Sequence, residues 1–255
     1  MTAAPTAFQS WCLGYAGCEG GDLGHPRAPA TWVCGIEPGG PHSVDAATLQ
    51  RLIQESDTSH PPPGYADWRS NLSGSFRRRI VKLLAAVQGW PVAEYRAFAE
   101  QRRPFVRGGS GYARLNLYPV GFADTNPGRW SADFAAVTGF ARKADYLAWC
   151  DAHRLPVLRR WATQRQPRLV VGLGKSRLAQ FHAAFLGGTA HWGEESLAGK
   201  QLSWAINEEG SVVAVLPFLT SASGLQSDAA IQAFGLRLRE LCAAAAGIRH
   251  VAATA

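Results

Sequence analysis

Residues 31–40 read T-W-V-C-G-I-E-P-G-G, and this stretch constrains the fold more than any other. A short apolar run, Trp32, Val33 and Cys34, breaks at Gly35. Ile36 and Glu37 follow, then Pro38, Gly39 and Gly40. Pro38 fixes its own φ and biases Glu37 towards an extended conformation. The glycines let the following peptides take unusual dihedrals and let another molecule approach closely. The stretch reads as a buried strand that ends by presenting one carboxylate at a tight turn. The carboxyl ends of parallel strands are where open α/β sheets bind ligands. A solvated glutamate in a strand–helix loop is the competing reading of Glu37.

The rest of the chain fits that reading. Strand-like runs recur at 114–118, halted by Pro119, and at 168–172. A hairpin is expected from 202–207 and 211–216 around Glu208, Glu209 and Gly210. Helical patterns lie between them. One follows Gly40, capped by Ser43 or Asp45, with Leu49, Leu52 and Ile53 on one face. Another starts near Ser75 and buries Phe76, Ile80, Leu84 and Val87. Others fill 130–166, follow Gly174 with Leu178, Phe181 and Phe185, and close the chain with Ile231, Phe234, Leu238, Leu241 and Ala245. Pro61, Pro62, Pro63 and Gly64 make 57–68 a lid or surface crossing. Residues 1–30, rich in Gly, Ala and Pro, are expected to be a loop packed over one end of the sheet. Strands alternating with helices imply a largely parallel sheet between helical layers. The length of 255 residues, without internal repeats, suits a single domain over 1–255.

Charge and cysteine usage narrow the function. A net charge of +7 favours a polyanionic partner. Arg77, Arg78, Arg79 and Lys82 fall mainly off the buried stripe of their helix, so they form either a solvated face or phosphate contacts. Residues 102–111, R-R-P-F-V-R-G-G-S-G, form a basic, flexible loop. The run Gly174, Lys175, Ser176 and Arg177 resembles a phosphate loop, but G-x-x-x-x-G-K-[ST] needs a glycine where Leu169 stands. A nucleoside triphosphatase is therefore excluded, although Lys175, Ser176 and Arg177 at a helix N-terminus can still hold a backbone phosphate. No apolar run is long enough to span a membrane, and the first ten residues lack the pattern of a signal peptide. The five cysteines include no C-x-x-C pair, which argues for reduced thiols in a cytoplasm. An iron–sulfur cluster on Cys12, Cys18 and two others is the alternative; otherwise no metal or cofactor is expected.

Asn116 is a poor strand residue and calls for an explanation. It either turns the chain locally or points an amide at a ligand. Together with three other features it resembles the uracil-DNA glycosylase superfamily. The features are G-I-E-P-G at 35–39, N-L-Y-P from Asn116, R-L-V-V-G-L-G-K-S at 168–176, and L-P-F-L-T-S-A-S-G-L at 216–225. They cover about residues 30–245 in order. The resemblance implies a three-layer αβα sandwich whose central, mostly parallel sheet has about four or five strands. It also implies hydrolysis of a base–sugar N-glycosidic bond in a nucleotide flipped out of DNA.

Residue roles come over from the same resemblance. Glu37 takes the place of the catalytic carboxylate, stabilising oxocarbenium character at the sugar and orienting water. Gly35, Ile36, Gly39, Asn116 and Tyr118 line the base pocket, with Asn116 reading the pyrimidine edge. Lys175, Ser176, Arg177, Ser221, Ser223, Arg77 and Arg78 contact DNA, and Leu225 is the apolar wedge that fills the gap left by the flipped base. The alternative for Leu225 is an ordinary core leucine.

Two departures matter. No histidine stands at 216–218, where the family often carries H-P-S; His42 is the substitute considered. Gly39 replaces the tyrosine that closes the C5 side of uracil in the best-known members, leaving that side open. The implied substrate is a C5-modified pyrimidine, such as glucosylated 5-hydroxymethylcytosine in phage DNA. Uracil or mismatched thymine is the second option, and a non-catalytic nucleic-acid binder on the same fold is the third. A monomer acting on DNA in the cytoplasm is expected.

Overall fold

The structure is a computed structural model that describes residues 4–39, 45–122 and 130–254. Gly40, His42 and Ser43 lie outside the described residues. In chain order the elements are α1 (Thr6–Leu13), β1 (Gly20–Gly21), β2 (Gly24–His25), β3 (Ala28–Pro29), β4 (Thr31–Gly35) and α2 (Ala46–Glu55). Then come α3 (Ser75–Val87), α4 (Tyr95–Arg102), β5 (Tyr112–Asn116), α5 (Ala132–Thr138) and α6 (Lys143–Arg165). The chain ends with β6 (Leu169–Leu173), α7 (Leu178–Phe185), β7 (Gly193–Leu197), β8 (Lys200–Ile206), β9 (Val212–Leu216) and α8 (Asp228–Thr254).

Seven strands form one sheet in the order β1-β5-β4-β6-β9-β8-β7, and β2 and β3 form a separate small ribbon. The inner four, β5, β4, β6 and β9, run parallel. Their residues are nearly all buried, as strands covered on both faces require. Side chains alternate between two cores. Trp32, Cys34, Leu115, Val170 and Val213 face one core, which also holds side chains of α1, α6 and α7. Val33, Leu169, Val171 and Ala214 face the other, filled by α3 and α8. Gly172 lets α7 lie close: a Cβ there would meet the Phe181 ring at 2.9 Å. The result is a mixed α/β architecture consistent with a three-layer sandwich.

Three expectations need correction. The sheet has seven strands rather than four or five, because antiparallel strands extend both edges. β1 pairs with β5, and β7 and β8 follow β9. Residues 1–30 are not merely a loop: α1 buries Phe8, Trp11 and Cys12, and β1 belongs to the sheet. In α2, Asp45 Oδ1 accepts from Thr48 N at 2.7 Å and Leu49 is buried, but Leu52 is exposed. No helix among the described residues is long and apolar enough to cross a membrane.

Candidate active site

The parallel pairing of β4 with β5 carries on past the end of β4. Leu117 N donates to Gly35 O at 3.0 Å and Tyr118 N to Ile36 O at 2.9 Å. This fixes the backbone just before Glu37. The Glu37 side chain is 9% exposed and its carboxylate meets Lys143, 5% exposed, with Nζ 3.1 Å from Oε2 and 3.3 Å from Oε1. Lys143 opens α6, where the helix dipole disfavours a cation. Glu37 and the Phe122 ring, whose centroid lies 4.0 Å from Nζ, compensate for that position. Pro38 packs on Gly121, while Gly39 is exposed and a Cβ on it would meet nothing within 4 Å.

Asn116 lies across from Gly35, and any side chain at Gly35 would collide with its Oδ1. Its Nδ2 donates to Gly17 O at 3.0 Å and to Glu19 Oε1 at 3.2 Å. Glu19 also pairs with Arg114 at 3.0 Å and accepts from the Tyr65 hydroxyl at 3.4 Å. Arg114 donates to Tyr65 Oη at 3.1 Å and lies 5.4 Å from the Phe76 ring centroid. Asn116 is thus one member of a buried polar network, with its amide nitrogen committed to the protein and Oδ1 over Gly35.

Tyr118 is fully buried, and its hydroxyl donates to Asp151 Oδ1 at 2.7 Å. Asp151 Oδ2 accepts from Gln180 at 3.2 Å. Burial first, then the bond to Asp151, pushes the Tyr118 phenol well above its usual range. Tyr118 therefore ties the end of β5 to α6 and α7, which corrects its assignment as a pocket-lining residue. Arg177 lies 5.7 Å from its ring centroid. Beneath them, Arg154 is fully buried and donates to the carbonyls of Leu117, Cys12, Gly14, Ala16 and Asn116.

The ends of β6 and β9 open a cleft of about 500 Å³ that begins at Gly174, against which Ile36 packs; Glu37, the next residue, points to Lys143 and does not line it. Lys175, Ser176, Lys200, Phe218, Ser221 and Ser223 line it. Four residues expected to contact DNA therefore share one cavity. The first turn of α3 reaches the same rim: Phe76 stacks on Phe218 at 5.1 Å and 22°, and Arg79 donates to Leu219 O at 2.9 Å. Arg78 is exposed on another face of α3, whereas Arg77 is bound to Ser73 Oγ at 2.9 Å and lies over the Tyr65 ring. Lys82 pairs with Asp228 at 2.7 Å. Leu225 does not join this group. It is fully buried in the α3–α8 core, so the wedge assignment is corrected to a core leucine; its loop turns inward where Leu225 N donates to Phe218 O at 3.0 Å.

The cluster reading of Cys12 and Cys18 finds no ligand set: no group of three or more His, Cys, Asp or Glu suited to a metal occurs among the described residues. Cys12 instead packs on Cys150, 3.8 Å between sulfurs. Burial pushes the Cys18 thiol up to about 12 and raises Cys34 and Cys150 as well.

Sequence reasoning missed Lys143, Glu19, Asp151, Arg154 and Lys200. One signal was visible for Arg154, a charge inside the apolar pattern of a helix; Lys143 carries none. The fold and site define an α/β protein with a buried acid–lysine pair and a separate basic cleft, both at the carboxyl ends of its parallel strands. No protein-family model matches the chain, and no curated protein matches it in sequence.

Proposed function

We propose that this protein is a DNA glycosylase of the uracil-DNA glycosylase type, which hydrolyses the N-glycosidic bond of a flipped-out pyrimidine and favours a C5-modified base. The observation that carries this reading is the Glu37 carboxylate, nine-tenths buried just past the carboxyl end of a parallel strand, on the same end of the sheet as a cleft with lysines and hydroxyls. In the proposed reaction the base departs and positive charge builds on the sugar. Glu37 faces that charge and orients the water that adds to C1′. Lys143 holds the carboxylate in place through both its oxygens. Asn116 offers Oδ1 to the base edge, and Gly39 leaves room for a C5 substituent. Lys175, Ser176, Ser221 and Ser223 take the strand on either side.

The second reading is a binding protein without catalysis. The engagement of the Asn116 amide by Gly17 and Glu19 favours it, since a satisfied network has less to gain from a base. A panel of oligonucleotides separates the options. It carries uracil, mismatched thymine, 5-hydroxymethylcytosine or its glucosylated form, and alkali cleaves the abasic sites formed. Release of the C5-modified bases is the expected result. Release of uracil or thymine alone moves the substrate to repair, and tight binding with no release of any base establishes the second reading.

A further inference from the structure

We infer that the cleft at the ends of β6 and β9 binds single-stranded DNA, with Phe218 as a stacking platform. This rests on the proposed action on DNA but goes beyond it, because nothing above selects single strands over duplex. Phe218 is 37% exposed, and its ring is held in place by stacking on Phe76 at 5.1 Å. It stands in a cavity whose other lining includes two lysines and three serines, together with Gln201, Pro217 and two glycines. An aromatic face among ammonium and hydroxyl groups is the combination that binds an unpaired strand: the ring stacks on a base and the cations follow the phosphates. A duplex offers no such contact, since each of its bases is already covered on both faces.

Size and charge point the same way. A cleft of about 500 Å³ takes one or two nucleotides and not a double helix. Beyond the two lysines, Arg79, three residues after Phe76 and on the same face of α3, adds a third cation near Phe218, where it donates to Leu219 O at 2.9 Å; a row of cations suits a polymer rather than a free nucleotide. Lys200 is anchored at the wall by donating to Ser223 O at 2.9 Å. Among the described residues the acidic group paired with Lys175 is Glu194, whose carboxylate lies 3.9 Å from Lys175 Nζ and is half exposed. That contact is long and solvated, so a phosphate can replace it at little cost.

The test is fluorescence anisotropy with a labelled oligothymidylate of about twelve nucleotides and with a duplex of the same length, at about 150 mM salt. The single strand is expected to bind at least about tenfold more tightly. Phe218→Ala is expected to weaken it by about 5- to 150-fold, while Phe218→Trp retains binding and duplex affinity stays unchanged. Melting curves confirm that each variant folds. Duplex binding as tight as single-strand binding overturns the inference, as does parental affinity in Phe218→Ala. Either outcome leaves base release by the parent protein untouched, so the proposed function stands or falls separately. Failure to bind DNA of either kind removes both.

Discussion

Lys143 reaches across to both oxygens of Glu37, at 3.1 and 3.3 Å, joining the first turn of α6 to the turn after β4. Both side chains are at least nine-tenths buried. Breaking such a pair from one side costs about 3–5 kcal/mol, because the remaining charge has already been taken out of water. Lys143→Met is therefore expected to lower unfolding stability by roughly that amount in urea titrations. Adding Glu37→Gln to it is expected to restore part of the loss. A single variant that loses less than about 1 kcal/mol shows that the pair is not a structural clasp.

Arg154 carries a second structural prediction. Its guanidinium serves five carbonyls that join α1, the following loop and the end of β5. Hydrogen bonds to a charged group contribute about 1.5–3 kcal/mol each, and buried carbonyls left unmade cost more than they gained. Arg154→Met is expected to lose on the order of 3 kcal/mol or more. It is also expected to loosen the loop carrying Gly17 and Glu19, read as faster amide exchange there. Unchanged exchange at 14–20 contradicts the role given to Arg154.

Alkaline stability follows from the buried thiols. Cys18 ionises near 9.0 when unfolded and is pushed up to about 12 by burial in the fold. A raised folded value means the stabilisation is complete below about pH 9 and is lost as pH rises towards about 12. Unfolding stability is expected to fall in that window by about 1 kcal/mol per pH unit for this thiol. Cys18→Ser is expected to flatten the slope. An identical slope in the variant assigns the effect to other groups.

The parts of the fold that were legible are those whose residues announce their surroundings. β4, β6 and β9 are short apolar runs, and such runs have few homes other than a strand covered on both faces. β1 is two glycines and β7 is G-E-E-S-L, so neither carries an apolar pattern; pairing with β5 and β8 makes them strands. Glu37 was visible because proline and glycine mark its turn. Its partner was not, because 106 positions separate the two and only the fold closes that distance. Leu225 sits in a serine-rich loop that looks exposed, yet the turn from Phe218 folds it into the core.

Gly39 bears on substrate choice. It is exposed, a Cβ meets nothing within 4 Å, and its φ lies outside the range that excludes side chains. Gly39→Tyr is therefore expected to fold with parental stability. In the proposed pocket the added ring closes the C5 side, so release of bulky C5-modified bases is expected to be lost while any action on uracil persists. A folded Gly39→Tyr protein that releases a glucosylated base at the parental rate contradicts the open-wall account.

The measurement that bears most directly on the central claim is single-turnover base release by the parent protein and by Glu37→Gln, using DNA that carries a C5-modified cytosine. The parent is expected to leave an abasic site. Glu37→Gln is expected to be slower by about 10²–10⁴, the range for loss of an acid–base group, with DNA affinity retained and with stability lowered as for Lys143→Met, so rates are compared at a temperature where a melting curve shows the variant folded. Equal rates in the two proteins, or no abasic site formed by the parent from any base in the panel, contradict the account.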